Sequence, residues 1–340
     1  MSYSCEFCPK LCHHACPVGE VSHDEALNTW GKINTLASTD QKKLPEENYA
    51  VAYQCVQCHA SETDCEINTP ATSILHSYRV KAFKKGLAPE NIKKLVKEFS
   101  QIRLYLDTEK QKKSDVLYIP SFNHNSSEDS DFESRIQKAK KLFEKLKIEV
   151  DFLQSELPCC GYTYYAAGDE KSFKAHMQHQ LKFLKKYKTI VSDSAMCLEM
   201  LSQYKKLAKI KLLHISEFLL PSIKKISTKS VTYHDPCYLG RHRNTYAAPR
   251  ELLKRATGAA PHEFRRHHEM SYCCGGGGLF PVTSPKLADQ MTHNRLEEFL
   301  ETETSLLVTG CPNCVSRFKE VGKNQKLNIT VLDMIDFLLL

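Results

Sequence analysis

"SYCCGGGGLF", residues 271–280, sets Cys273 and Cys274 side by side and follows them with Gly275, Gly276, Gly277 and Gly278. A disulfide between the two thiols is disfavoured. Neighbouring Cα atoms lie about 3.8 Å apart across a trans peptide, and ordinary disulfides need roughly 4.4–6.8 Å. Two core thiols would have no use for four bare positions after them. The stretch reads as part of a metal site.

Compared with the rest of the chain, this stretch has a counterpart, "PCCGYTYY" at 158–165. The flanks repeat as well. "SDVLYIPSF" (114–122) pairs with "SVTYHDPC" (230–237), and "TIVSDSAMC" (189–197) with "SLLVTGCPNC" (305–314). Each is a short apolar run that ends at a turn, and helical periodicity fills the gaps. In "RIQKAKKLFEKLKI", Ile136, Ala139, Phe143 and Leu146 share one helical face. Ser284 and Pro285 predict a helix N-cap and first position, with Leu287, Met291 and Phe299 on one face. Strands alternating with helices predict an α/β fold with a parallel sheet in each copy. The expected boundaries are 1–100, 101–225 and 226–340, with 101–113 a linker.

The second copy carries Cys237, Cys273, Cys274, Cys311 and Cys314, spaced C-x35-CC-x36-C-x2-C. Each group falls where a strand meets the next turn, the place where sites form in α/β sheets. The glycines are expected to give a bulky metal group clearance and to offer it bare N–H groups; Gly240 and Gly310 flank the other two turns. The first copy keeps Cys159, Cys160 and Cys197. Phe122 and Ser194 stand where the second copy has its leading cysteines. Three thiolates could hold zinc with water or histidine as fourth ligand. The favoured expectation is a degenerate scaffold, because Phe122 brings apolar bulk to the pocket.

"CEFCPKLCHHACP" places Cys5, Cys8, Cys12 and Cys16 before Pro17, and "CVQCHASETDCEI" adds Cys55, Cys58 and Cys65. A two-cluster ferredoxin run is C-x2-C-x2-C-x3-C-P, its last cysteine serving the other cluster. Here the gap between Cys8 and Cys12 is one residue longer, and the pattern so read assigns one [4Fe-4S] cubane to Cys5, Cys8, Cys12 and Cys65. A second half-site takes Cys16, Cys55 and Cys58, with Ser61 at the missing position; Ser61, His59 or water could complete it, or it holds three irons or none. Zinc is the competing occupant of C-x2-C pairs. The segment between the runs has helical spacing, so an α-helical ferredoxin-like module is expected.

The chain has 340 residues, 15 cysteines and a formal charge of +7, with 41% apolar and 26% charged residues. These are the proportions of a globular protein. No apolar run approaches the roughly 18 residues of a membrane span. "MIDFLLL" at the C-terminus is expected to be a core-facing helix. Cysteines occupy the place of a signal peptide's apolar core, so a cytoplasmic location is expected. All fifteen cysteines fall into groups, which in a reducing compartment points to metal. No nucleic-acid motif is present, and the glycine run follows cysteines rather than a strand, so the chain is not expected to bind NAD or FAD alone.

With "HDPCYLGRH", "CCGGGG" and "CPNC" in this order, the chain resembles the CCG (cysteine-rich) domain iron–sulfur oxidoreductases. These include the iron–sulfur subunit of glycolate oxidase, the third subunit of anaerobic glycerol-3-phosphate dehydrogenase, and heterodisulfide reductase subunits. The resemblance implies a non-cubane [4Fe-4S] cluster at Cys237, Cys273, Cys274, Cys311 and Cys314. It also implies a hetero-oligomer in which electrons pass between a flavin dehydrogenase subunit and a quinone or other carrier. Association with a membrane subunit, at the inner face of the membrane, accords with that role. The rival expectation puts disulfide or quinone reduction at the CCG cluster itself; a third is a zinc-bound interaction protein. His234 and Asp235 are candidates to support the cluster. Arg241, Arg243, Arg265, Arg266, His267 and His268 form either an anion site or a partner-facing patch. Trp30 reads as core or partner contact.

Overall fold

The computed structural model describes residues 8–37, 44–101, 113–121, 132–152 and 160–340. Its first part is helical: α1 (Pro17–Ser22), α2 (Thr29–Ala37), a long 3-10 segment at Glu46–Tyr53, α3 (Ala71–Lys84) and α4 (Glu90–Gln101). Pro17 sits at the first position of α1, where a missing N–H costs nothing, behind an extended Cys16. In α4, Ile92, Leu95, Val96 and Phe99 form one buried stripe. No strand occurs in this part among the described residues.

Two parallel sheets follow, built on one plan. The first holds β1 (Val116–Ile119), β2 (Asp151–Phe152), β3 (Thr189–Ser192) and β4 (Lys211–His214), in the order β2-β1-β3-β4. The second holds β5 (Thr232–His234), β6 (His262–Glu263), β7 (Leu306–Thr309) and β8 (Thr330–Asp333), in the order β6-β5-β7-β8. Every pairing is parallel. The helices are α5 (Phe132–Leu146), α6 (Tyr162–Ala167), α7 (Glu170–Leu184) and α8 (Ala195–Ser202) in the first copy, and α9 (Ala247–Thr257), α10 (Pro285–Leu300) and α11 (Pro312–Asn324) in the second. The α/β repeat expected from the sequence is the observed architecture.

The two copies share a core. Tyr118, Phe143 and Val191 from the first pack with Tyr233, Leu252, Val308 and Phe337 from the second. Ile136, Ala139 and Phe143 are buried along α5 as expected, and Met334–Leu338 is a helix with Met334, Ile335, Phe337 and Leu338 buried. Ser284 is the N-cap of α10 and Pro285 opens it, as expected, but the Ser284 hydroxyl makes no bond to the helix and instead donates to Oε1 of Gln54, 2.6 Å away in the helical part. The helical part is thereby tied to the second copy. Residues 102–112 of the expected linker lie outside the described residues.

Arg79 joins all three parts. Its fully buried guanidinium donates to the carbonyls of Ala52 and Cys55 in the helical part, Ala166 in the first copy and Gly278 in the second. The planar fork of a guanidinium suits such a junction, because it carries only donors and carbonyls only accept.

Candidate metal centre

In a sheet ordered β6-β5-β7-β8, the chain leaves β5 and β7 in opposite directions, which opens a crevice at their carboxyl ends. Cys237 lies just beyond β5. Cys311 is the extended N-cap of α11, and Pro312 at the first helical position brings Cys314 into the first turn. Cys273 and Cys274 arrive on the segment that leads into α10. All five are buried, and Sγ of Cys274 lies 3.0 Å from Sγ of Cys314. The thiols act on one another electrostatically, Cys273 with Cys237 and Cys274, and Cys314 with Cys274 and Cys311. The acidity is shared unequally. Contacts from Cys273 and Cys314 hold Cys274 well below the usual thiol range, whereas contact with Cys237 and then Cys274 pushes Cys273 well above it. Such protons belong to the array rather than to any one thiol, and metal binding releases them.

His234 closes one side of this crevice. Its Nε2 is buried without a hydrogen-bond partner among the described residues, and one of its ring nitrogens lies within 4.8 Å of Sγ of both Cys274 and Cys314. Five converging sulfurs and an orphaned buried nitrogen fit a sulfur-ligated metal group, since soft thiolates select iron–sulfur clusters or zinc. Asp235 turns away to Arg250, with both carboxylate oxygens 2.7 Å from guanidinium nitrogens.

The glycines after Cys274 answer to the chain around them. A Cβ at Gly275 (φ +82°) would come 2.7 Å from the Ala288 carbonyl of α10. At Gly277 and Gly278 it would fall under 3.0 Å from the carbonyls of Val56 and Cys55 respectively. The Gly278 N–H donates to Tyr162 Oη at 2.7 Å. Gly276 alone faces sulfur, its Cβ position 3.5 Å from Sγ of Cys274. The clearance is thus mainly for residues 55–56, the loop of the second half-site.

That loop meets the five-cysteine crevice directly. The Cys273 thiol is the first cause of the Cys58 thiol falling to about 6. Arg241 donates to the Cys58 carbonyl at 2.6 Å and to the carbonyls of Ser271 and Glu269. The His242 ring, kept neutral by burial and then by His59, pairs with the Gln57 carbonyl at 2.9 Å. The His59 ring stacks against His242 with centroids 3.8 Å apart.

In the helical part, Cys8, Cys12 and Cys65 line one cavity with Leu11 and Ile67; Cys5 lies outside the described residues. The backbone N–H of Lys10 donates to Sγ of Cys8, and that of Gln57 to Sγ of Cys55. Lys10 and Gln57 both have left-handed φ, 61° and 56°. The turns that follow Cys8 and Cys55 therefore share one geometry, each with an amide aimed at sulfur, an interaction that tunes iron–sulfur clusters. In the second half-site Cys16, Cys58 and Ser61 are buried and Cys55 is half-buried. Lys32, 1% exposed, points Nζ at Sγ of Cys16 from 3.8 Å, and its charge lowers the Cys55 thiol against the larger effect of burial. Trp30 is half-buried, with Nζ of Lys10 3.9 Å from its ring centre.

The first copy fills the equivalent crevice with hydrogen bonds. Backbone N and Oγ of Ser121 donate to the two carboxylate oxygens of buried Asp193, at 2.7 and 3.1 Å. Ser194, where the second copy has Cys311, caps α8 by accepting from the N–H of Cys197. Cys160 and Cys197 are buried; Cys159 and Phe122 lie outside the described residues.

The arginine patch expected from the sequence is largely internal. Arg243 donates to the Leu212 carbonyl, and Arg266 pairs with Glu298 and with Glu20 of the helical part. Arg265 is exposed, 3.7 Å from Glu298 and 3.8 Å from Glu301. The sequence reading missed Lys32, Arg79 and Arg295. Arg79 and Arg295 sit at helical spacing on apolar stripes (Leu75 and Ala82; Met291 and Phe299), where a cation was the available signal; Lys32 shares its face with Asn28 and Thr29 and gave no such signal.

The family described as a cysteine-rich domain, CCG, matches residues 126–202 and 231–319, one match on each α/β copy. Both α/β copies are thus similar to the CCG domain. Along most of its length it is similar to a dihydromethanophenazine:CoB–CoM heterodisulfide reductase subunit of Methanosarcina barkeri, 27% identical over 83% of this chain and 76% of that one. Lactate utilization protein A of Oceanobacillus iheyensis is 27% identical over 55% of this chain and 84% of its own. A probable membrane-anchored ferredoxin of Chromohalobacter salexigens is 43% identical over 27% of this chain and 13% of its own. Among the described residues no helix is long and apolar enough to cross a membrane.

Proposed function

We propose that this chain is an iron–sulfur electron-transfer subunit of a hetero-oligomeric oxidoreductase. Bound clusters supply one-electron carriers in series, between a flavin dehydrogenase subunit and a quinone or other carrier. Cys5, Cys8, Cys12 and Cys65 hold a cubane, and Cys16, Cys55 and Cys58 with Ser61 form the second half-site. Cys237, Cys273, Cys274, Cys311 and Cys314 hold the CCG cluster. The observation that carries the reading is the packing of the Cys55–Cys58 loop on the glycines after Cys274, where Cβ positions at Gly277 and Gly278 would fall under 3.0 Å from the Val56 and Cys55 carbonyls, which brings the second half-site against the CCG crevice. The residues around it hold that junction rigid: Arg79 and Arg241 bind its carbonyls, and the glycines admit its backbone. The relatives named as a reductase subunit and a ferredoxin support the same class.

Anaerobic purification with iron, sulfide and zinc analysis and low-temperature EPR tests it. At least two distinct cluster signals are expected, and colourless protein holding only zinc overturns the proposal. A second reading, reduction of a disulfide or quinone at the CCG centre, draws on a cavity of about 170 Å³ that Cys273 lines with His14, Asp64, Arg266 and Tyr272. Turnover of such a substrate by the purified chain with an artificial donor would favour it; no turnover without a flavin partner removes it.

A further inference from the structure

His234 ends β5 with its ring turned toward the thiols. Its Nδ1 lies 3.1 Å from Nε of Arg295. A guanidinium only donates, so Nδ1 presents a lone pair and the ring's single proton rests on Nε2. Arg295 is fixed in that role. It is fully buried, and its other nitrogens donate to the Glu298 carboxylate, the Arg266 carbonyl and Ser271 Oγ. The Phe264 ring lies 3.6 Å from its guanidinium carbon. Phe318 meets the His234 ring edge-on at 4.9 Å and holds its plane. With Nδ1 taken, the nitrogen that faces Cys274 and Cys314 is Nε2, the buried atom without a partner.

We propose that His234 is a positioning residue of the CCG centre: its Nε2–H, fixed in place by Arg295, donates to the sulfur of Cys274 or Cys314. The proposal rests on the reading that these cysteines hold an iron–sulfur cluster. An N–H donated to a thiolate draws charge from the sulfur and stabilises the more negative, reduced state. His234 thereby raises the reduction potential of this centre and of no other in the chain. The buried chain Glu298–Arg295–His234 keeps the donor from rotating to another partner.

The test is an EPR-monitored redox titration of the full chain, purified anaerobically, with iron and zinc analysis of each sample. His234→Phe keeps a ring but no donor. It is expected to retain full iron and to change the reduced-to-oxidised ratio of the CCG signal about tenfold at fixed potential, about 59 mV for one electron. His234→Gln returns an N–H near the Nε2 position and is expected to recover most of the shift. An unmoved potential in iron-loaded His234→Phe overturns the proposal, as does equal iron loss from both variants, the behaviour of a metal ligand. Pulsed EPR on wild-type protein carrying ¹⁵N-histidine needs no variant. A weak ¹⁵N coupling on the CCG signal is expected, and a coupling of ligand strength, or none, overturns the donor role. Wild-type protein with no iron at this centre refutes the electron-transfer reading instead, so the two failures are distinct.

Discussion

Asp193 occupies the position that Gly310 holds in the second copy, just before the residue equivalent to Cys311. Burial, and then the charge of Asp333, raise its carboxyl from 3.8 to about 7. The folded state therefore keeps a proton that the unfolded chain releases near pH 4. This contribution to stability is complete below about pH 4 and is lost as pH rises through 7. Between pH 6 and 8 the loss is about 1 kcal/mol. Asp193→Asn is expected to lose that much less over the same interval, as read by denaturant unfolding at the two pH values; parallel curves would refute the assignment. Lys32 is the converse case, a buried cation among thiols with no carboxylate ion pair among the described residues. If the second half-site holds an anionic cluster, Lys32→Met should keep the iron and lower the potential of that cluster's EPR signal. An unchanged signal would mean that Lys32 does not act on a cluster there.

Between elements, the contact of the 55–58 loop with the 275–278 loop joins the two kinds of site. Gly278 has φ +63°, and a Cβ there would press on the backbone of Cys55 and Val56. Gly278→Ala combines left-handed strain with that clash, each worth about 1–3 kcal/mol. A loss of at least 2 kcal/mol in chemical unfolding is expected, together with slower electron exchange between the helical part and the CCG centre in freeze-quench EPR. A mild effect on both would show that the loops part easily. Legibility in the sequence divides along the same line. The strands ended by "DPC" and "GCPNC", the Pro17 helix start and the apolar face of α5 follow from local periodicity and local steric rules, and the structure has them. The roles of Gly277, Gly278, Arg241 and Ser284 depend on partners distant in the chain, and no local spacing encodes these. Arg79 and Arg295 stood in plain view on apolar stripes, yet their carbonyl and imidazole partners come from other elements, as does the thiol beside Lys32.

At the scale of the whole molecule, one α/β plan occurs twice and differs at its two crevices. Both open at the carboxyl ends of the two central strands. In the second, five cysteines are buried and Cys274 and Cys314 meet His234. In the first, Ser121 donates to Asp193 and Ser194 caps α8, leaving fewer sulfur donors and hydrogen bonds that metal binding would have to break. The first copy also supplies Ala166 and Ala167 carbonyls to Arg79 and Tyr53, and Tyr162 Oη to the N–H of Gly278. It is thereby placed to act as a scaffold that braces the junction between the helical part and the intact copy. The expected outcome is an asymmetric loss of metal. Cys273→Ala with Cys274→Ala should remove a full cluster, seen as about four fewer irons per chain and loss of one EPR signal. Cys159→Ala with Cys160→Ala should leave iron and every signal in place, with at most a modest fall in stability from lost packing. Equal iron loss from the two pairs would overturn the asymmetry. Zinc lost only with the second pair would assign the first copy a metal site of its own and remove its purely bracing role.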